Sequence, residues 1–245
     1  MFHFFAPEEN ADTGSVVIRG SDVNHIRNVL RLKAGDRIIV SDGRDRDSVC
    51  EIVSLAPDEV LTRVLPEAVE ESELPVHFHL FQGLPKGDKM EFILQKAVEL
   101  GVSSLIPVEM KRCVVKLDEK KKLSRREKWA AQAESAAKQS GRRIIPGIEP
   151  VMSFREALGR AAEMDVLLVP YENAEGMDRT RELLSSLKAG QHVGIFIGPE
   201  GGFEPSEIEA LTAAGGETLT LGRRILRTET AGMAALAMGV LMTEN

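Results

Sequence analysis

The sequence is poor in cysteine. Cys50 and Cys113 are its only two, and without C-x-x-C spacing they suggest neither a disulfide framework nor a zinc site. No run of about 18 apolar residues occurs, which leaves no candidate membrane helix. The N-terminus MFHFFAPEEN lacks a basic region, a long apolar core and a cleavage site, so no secretory signal is expected. A reducing cytoplasm is the expected compartment. Histidine is sparse as well. His77 and His79 alternate along a strand-like run, but no further His or Cys follows at ligand spacing; ordinary strand histidines are expected, and no metal. No Ser-His-Asp or Cys-His pattern stands out.

What is present is the composition of a soluble globular protein, 43% hydrophobic and 28% charged. At 245 residues the chain can form one large domain or two ordinary ones. The net charge of −7 argues on average against a nucleic-acid partner, yet it conceals a local reversal. KRCVVKLDEKKKLSRREK, Lys111 to Lys128, holds nine Lys or Arg against three acids. Such a run is either a solvated helix face or a surface that tracks phosphates.

The first 70 residues read as β-rich. FHFF, SVVI, RIIVSDG and SVCEIVSL are short β-prone runs between turn residues, with tight turns at Asp42-Gly43 and Ala34-Gly35-Asp36. One helix-like insert, DVNHIRNVLRL, puts Val23, Ile26, Val29 and Leu30 on one face. Together they suggest a small barrel-like module, followed by an acidic linker, Glu67 to Pro75. From Val76 the period changes. VHFHLFQG, SLIPVEM, MDVLLVPYE, HVGIFIG and ETLTL read as strands, mostly separated by helical segments, which implies a parallel sheet with covered faces. KGDKMEFILQKAVELG reads as an amphipathic helix ending at Gly101, and Ser124 with Glu127 as the start of a long helix with Trp129 and Ala136 inward. The last helix, RTETAGMAALAMGVLM, is small or apolar on nearly every side, consistent with close packing or a subunit interface.

Two strand-to-helix junctions carry the functional signal. IFIGPEGGFEPSEIEAL, Ile195 to Leu211, runs from an apolar strand through Gly198, Pro199, Glu200, Gly201 and Gly202 into a helix, for which Ser206 and Glu209 fit a capping box. The loop is either a tight turn or a place where a ligand meets the main chain. It lacks the Gly-Lys-Ser/Thr of a phosphate loop and the G-x-G-x-x-G of a dinucleotide fold, and Glu200 would repel a polyphosphate. LGRRILRTETAGMAAL, Leu221 to Leu236, turns at Gly222 and starts a helix near Thr228, where Thr228 or Thr230 can cap and Glu229 suits the helix N-terminus. Arg223, Arg224 and Arg227 gather beside that turn.

The pair GPEGGF and LGRRILRTETA resembles the signature of the RsmE family, the 16S ribosomal RNA uridine-N3 methyltransferases of the SPOUT superfamily. HIRNVLRLKAGDRIIVSDG, QGLPKGDKMEFILQKAVELGV and QSGRRIIPGI match further family segments, so the resemblance spans essentially the whole chain. His3 stands where the family commonly has arginine, and Cys113 where serine is frequent. The resemblance implies an α/β protein with a PUA-like barrel over 1–70 and a SPOUT-type parallel-sheet domain with a deep trefoil knot over 75–245. It implies S-adenosylmethionine (SAM) as cofactor, in a cleft edged by Gly198 to Gly202, by Leu221, Gly222, Ile225 and Leu226, and by Val169 and Pro170. It also implies a homodimer acting on 16S ribosomal RNA of the small subunit. Arg227 is the implied cation near the uracil oxygens or the target phosphate, and Glu229 a candidate proton acceptor. Gln139, Ser140 and Arg142 would position the nucleotide, Arg112 and Lys116 would meet RNA phosphates, and His25, Arg27 and Arg31 would touch RNA from the first domain. The competing readings are a SPOUT ribose 2′-O-methyltransferase and a non-catalytic RNA-binding or assembly protein. The first is disfavoured by Arg227-Thr228-Glu229-Thr230, where a Ser-Leu-Asn-type helix start would be expected.

Overall fold

The structure, a computed structural model, describes residues 1–6, 14–44, 46–69, 72–174 and 176–244. Glu70 and Glu71 of the expected linker, and Asp45, lie outside them. The chain divides into two compact units, Met1–Glu73 with Ala137–Ile145, and Leu74–Ala136 with Pro146–Asn245. Residues 137–145, placed in the second domain by the expected boundaries, count with the first unit.

In the first unit β1 (Phe2–Phe5), β2 (Ser15–Arg19), β3 (Arg37–Ser41), β4 (Asp47–Leu55) and β5 (Glu59–Val64) form one sheet in the order β1-β3-β4-β5-β2. Only the β1–β3 pair is parallel. Alternate residues of these strands, including Phe4, Ile18, Ile38, Ile52 and Val60, meet in one apolar cluster with Val23 and Ile26 of the helical insert, as the period of two requires. Asp42-Gly43 opens a longer loop than the tight hairpin expected: the Asp42 carboxylate accepts the N–H groups of Arg44 and Arg46. The insert also differs. It begins as α1 (Ser21–Asn24) and continues as a π-helical turn, His25–Val29, in which the Leu30 N–H reaches back to the His25 carbonyl. That wider turn carries Val29 off the buried face, leaving it 64% exposed.

The second unit holds a parallel sheet in the order β12-β10-β11-β6-β7-β8. Its strands are β6 (His77–Gly83), β7 (Ser104–Glu109), β8 (Gly147–Ile148), β10 (Val166–Pro170), β11 (His192–Ile197) and β12 (Gly216–Leu219), and β9 (Met152–Ser153) also pairs with β7. The central strands β6 and β11 are buried along nearly their whole length, which explains their continuous apolar sequence. Helices α2 (Lys89–Glu99), α3 (Glu119–Ser140), α4 (Phe154–Ala161), α5 (Met177–Ser185), α6 (Pro205–Ala213) and α7 (Thr228–Thr243) accompany the sheet. Among the described residues no helix is long and apolar enough to cross a membrane.

Two helix starts correct the sequence expectation. α3 begins at Glu119 rather than near Ser124, because the Asp118 carboxylate accepts the Lys121 N–H and caps the first turn. Trp129 and Ala136 are buried along it, as expected. α6 is capped by Glu204 and Glu207, which form a reciprocal capping box around Pro205, not by Ser206 and Glu209.

At the opposite end of the central strands from the glycine loop, His79 is 8% exposed. Its Nδ1 is 2.7 Å from the Ser104 hydroxyl and its Nε2 2.8 Å from His192 Nδ1, and His77 stacks on His192. Burial, then the neighbouring His192, Arg160 and His77, pushes the His79 pKa down to about 4. The folded state therefore holds His79 neutral, whereas the unfolded chain takes up a proton near pH 6.5. Stability is complete above that value and falls as pH drops towards 4. Urea unfolding at pH 7.5 and 4.5 should show wild type losing about 2 kcal/mol more than His79→Gln; equal losses in the two proteins would remove His79 as the cause.

Candidate active site

The loops after β10, β11 and β12, three adjacent parallel strands, surround a cleft at their carboxyl ends, where open α/β sheets usually hold ligands. One lobe has a volume of about 440 Å³ and is lined by Gly198 to Gly202 with Pro170, Ile225, Leu226 and Arg227. A smaller lobe of about 120 Å³ adjoins it, sharing Pro170, Ile225 and Leu226 and adding Leu221 and Gly222. The structure thus brings together nearly all of the residues implied for the cofactor. Val169 is the exception. It is fully buried and lines neither lobe, because it faces the core from the strand while Pro170 ends it at the rim.

Glycines are needed in the loop for space and for backbone angle. A Cβ on Gly198 would lie 3.2 Å from the Gly202 carbonyl carbon, and one on Gly201 would meet the Arg112 Cβ at 2.9 Å. Gly202 has φ +69°, in the left-handed region that other residues seldom adopt. The loop is tied to the start of α7 by a buried chain: the Gln82 amide donates to the Thr228 hydroxyl at 2.8 Å, and that hydroxyl donates to the Gly198 carbonyl at 2.7 Å. Thr228 is therefore no cap. The N-cap is Arg227, whose side chain makes no capping hydrogen bond.

The second tie is ionic. Lys89, at the start of α2, places its Nζ 3.1 Å from Glu200 Oε1 and 3.2 Å from Glu229 Oε2. Glu200 Oε1 also accepts the Lys86 N–H at 3.0 Å. Burial would raise the Glu200 carboxyl, but the Lys86 N–H and the Lys89 ammonium together hold it below the usual range. Lys89 lines the larger lobe and Glu229 does not. The candidate proton acceptor therefore stands behind an ammonium, with its carboxylate only 15% exposed.

The expected RNA contacts divide in two. Against the expectation that it positions the nucleotide, Arg142 is 4% exposed and its guanidinium clasps Glu73 at 2.5 and 3.2 Å. The Glu73 carboxylate also accepts the N–H groups of Arg143 and Ile144, and this makes the QSGR segment a structural latch. Ser140 donates to the Ala137 carbonyl at the end of α3, and Gln139 is exposed. Arg112 is occupied at the loop, donating to Glu204 at 2.7 Å and to the Gly201 carbonyl at 3.0 Å. Lys116 is exposed and pairs with no described carboxylate. In the first unit His25 stands edge-on to Phe4, Arg27 is half-buried, and Arg31 is exposed with φ +56°. Much of the basic run is also spent within the chain: Lys122 on Glu109 and Glu119, Arg125 and Lys128 on Glu91, and Arg126 on the Ile148 carbonyl.

Sequence reasoning missed Lys89, Thr228 as a linker, and Gln82. Among the described residues no group of three His, Cys, Asp or Glu is placed to hold a metal.

Comparison with known proteins gives the family. Residues 72–239 match the RNA methyltransferase domain family and residues 18–65 the RNA methyltransferase PUA domain. Ribosomal RNA small subunit methyltransferase E of Bacillus subtilis (strain 168) is 41% identical, over 96% of this chain and 93% of that protein. The protein of the same name from Mycobacterium tuberculosis is 33% identical, over 94% and 88%. The crystal structure of a ribosomal RNA small subunit methyltransferase E from Neisseria gonorrhoeae, bound to S-adenosyl methionine, superposes with a TM-score of 0.84 at 33% identity, covering 98% of both chains. With a family match across most of its length and relatives of this identity, the chain belongs to the ribosomal RNA small subunit methyltransferase E family.

Proposed function

We propose that the protein is a SAM-dependent methyltransferase that modifies N3 of a uridine in 16S ribosomal RNA of the small subunit. The observation that carries the reading is the two-lobed cleft at the strand ends, built from the glycine loop and the Leu221–Arg227 segment, together with the SAM-bound relative of the same fold. The cleft suits the cofactor. Its larger lobe falls within the range of about 300–1,000 Å³ usual for small-molecule sites. Its rim is apolar at Pro170, Ile225, Leu226 and Ala231, and its loop glycines leave main-chain groups within reach of a ligand. No lysine in the loop asks for a phosphate.

When bound, SAM supplies a methyl group on a sulfonium with its own leaving group. The chain's task is then chiefly alignment. Thr228, Gln82 and Arg112 hold the glycine loop rigid from two sides. Arg227, exposed at the cleft mouth, supplies a positive charge for the uracil oxygens as the N3 proton leaves. Glu229 lies beside Lys89 and suits the first turn of α7; with Lys89 in front of it, solvent is the simpler acceptor of that proton. Base rather than ribose methylation follows from Arg227-Thr228-Glu229-Thr230 at the helix start.

His25, Arg27, Arg31, Lys116 and Gln139 remain the RNA contacts in this reading, and Ser140 acts through the end of α3. The knotted threading of the loops around the cleft belongs to the same proposal. So does a homodimer, supported by the exposed Leu241 and Met242 at the end of α7, and a cytoplasmic location.

Purified protein, labelled SAM and small subunits lacking the modification provide the test. Label should appear in 3-methyluridine at a single site. Label in a 2′-O-methylated nucleoside would move the protein to ribose chemistry, and SAM binding without any labelled RNA would favour an assembly factor.

A further inference from the structure

The Lys89–Glu200–Glu229 cluster joins three segments around the cleft: the start of α2, the glycine loop after β11, and the first turn of α7. One ammonium faces two carboxylates. We propose that Lys89 clips Glu200 and Glu229 together as a positioning residue, and that the one negative charge left over makes the pocket select the cationic sulfonium of SAM against its neutral thioether product. The inference rests on the proposed cofactor.

Three observations support it. First, Glu200 is engaged through Oε1, by the Lys86 N–H at 3.0 Å and Lys89 at 3.1 Å, and it is exposed, so its charge is offset where it stands. Second, Glu229 is not. Its Oε2 is buried with no hydrogen-bond partner of good geometry, although Lys89 lies within 3.2 Å. A buried carboxylate held by a single shared ammonium keeps much of its field. Third, the larger lobe, at about 440 Å³, is no wider than a Debye length of roughly 10 Å. A cation bound anywhere in it feels that field. The remaining charged groups around the two lobes, Glu172, Arg223, Arg224 and Arg227, are all exposed, so water and salt screen them more than the largely buried Glu229 carboxylate.

Methyl transfer converts the sulfonium to a thioether and removes the ligand's charge at sulfur. A pocket with surplus negative charge therefore holds the methyl donor more tightly, relative to the demethylated product, than a neutral pocket of the same shape would. That difference keeps the product from occupying the site.

The test is calorimetric, on the full chain without RNA, and uses SAM and S-adenosylhomocysteine as the two probes. The readout is the ratio of their dissociation constants at pH 8 and pH 6. The wild-type ratio at each pH is the reference. Glu229→Gln removes the surplus charge and should shift the ratio about five- to tenfold towards the product at both pH values. Lys89→Met leaves two adjacent carboxylates competing for a proton, so relative to wild type its ratio should move towards the product as pH falls from 8 to 6. Lys89→Arg should restore the wild-type ratio at both values. A Glu229→Gln ratio equal to wild type, or a Lys89→Met ratio that follows wild type at both pH values, overturns the proposal. Failure of wild type to bind SAM at all would instead count against the proposed cofactor. A variant that unfolds is recognised by circular dichroism, and Lys89→Gln then takes the place of Lys89→Met.

Discussion

Gly83→Ala is expected to abolish measurable SAM binding, although Gly83 lies outside the cofactor loops. Gly83 ends β6, the strand beside β11, and the glycine loop crosses directly over it. A Cβ there would sit 2.6 Å from the Pro199 nitrogen, 2.7 Å from Pro199 Cδ and 2.9 Å from Met110 Sδ. The sulfur can swing aside, but the main chain of Pro199 cannot, because Gly198 is tied to Thr228 and Gly201 to Arg112 on either side of it. Relief must come from lifting the loop off the sheet. In the proposed site, a loop displaced by even half an ångström loses close main-chain approach to the cofactor. We expect SAM affinity to fall at least fiftyfold, with a stability cost of about 1–3 kcal/mol, typical of overpacking. Gly159→Ala is the control. Gly159 lies within α4, and a methyl group on it would meet no atom within 4 Å, so alanine there should leave SAM binding intact and raise stability slightly. Calorimetric titration of both variants decides the matter. Normal affinity in Gly83→Ala would mean that the loop tolerates movement and that its glycines have another purpose.

The same loop shows where sequence is readable and where it is not. Its strand, its glycines and the helix after it are local features, and each leaves a mark within a few residues. Even the misplaced cap was recoverable. Glu204–Glu207 and Ser206–Glu209 both have the spacing of a capping box, but Pro205 belongs at the first position inside a helix, which makes Glu204 the residue before it. The π-helical turn that exposes Val29 carries no comparable mark; the pattern of Val23, Ile26, Val29 and Leu30 fits an ordinary helix equally well. Lys89 was invisible for a different reason. Its partners lie on two distant segments, and only the parallel stacking of β6 and β11 brings the start of α2 beside the loop after β11. Arg142 illustrates the converse case. An arginine in a family-like segment suggests a ligand contact, whereas its partner Glu73 is far away in sequence and buries it. Charge type is local information. Whether a charge is already spent is decided by topology.

Arg227→Ala separates chemistry from binding, and its expected effect is a hundred- to thousandfold loss of turnover with SAM affinity nearly unchanged. The backbone argument comes first. Arg227 caps α7 through its carbonyl, which accepts the N–H groups of Thr230 and Ala231 at 2.9 and 2.8 Å, and its φ of −67° and ψ of 155° suit any L-residue. Its side chain makes no capping bond and is exposed, so alanine should change stability by less than about 0.5 kcal/mol. The glycine loop keeps its ties to Gln82, Thr228 and Arg112, none of which involves residue 227. What disappears is a cation at the cleft mouth. In the proposed reaction uridine N3 becomes nucleophilic only as its proton leaves, and the negative charge that then spreads over the uracil oxygens is met by a fixed positive group. Removing one such preorganised donor typically costs about 10²–10³ in kcat. Arg227→Lys restores charge without the planar fork and should recover part of the rate. Single-turnover methylation of small subunits, beside calorimetric SAM binding, distinguishes the possibilities. Equal losses in SAM affinity and in rate would place Arg227 on the cofactor instead, and a raised KM for RNA with normal single-turnover rate would make it an anchor for the target phosphate.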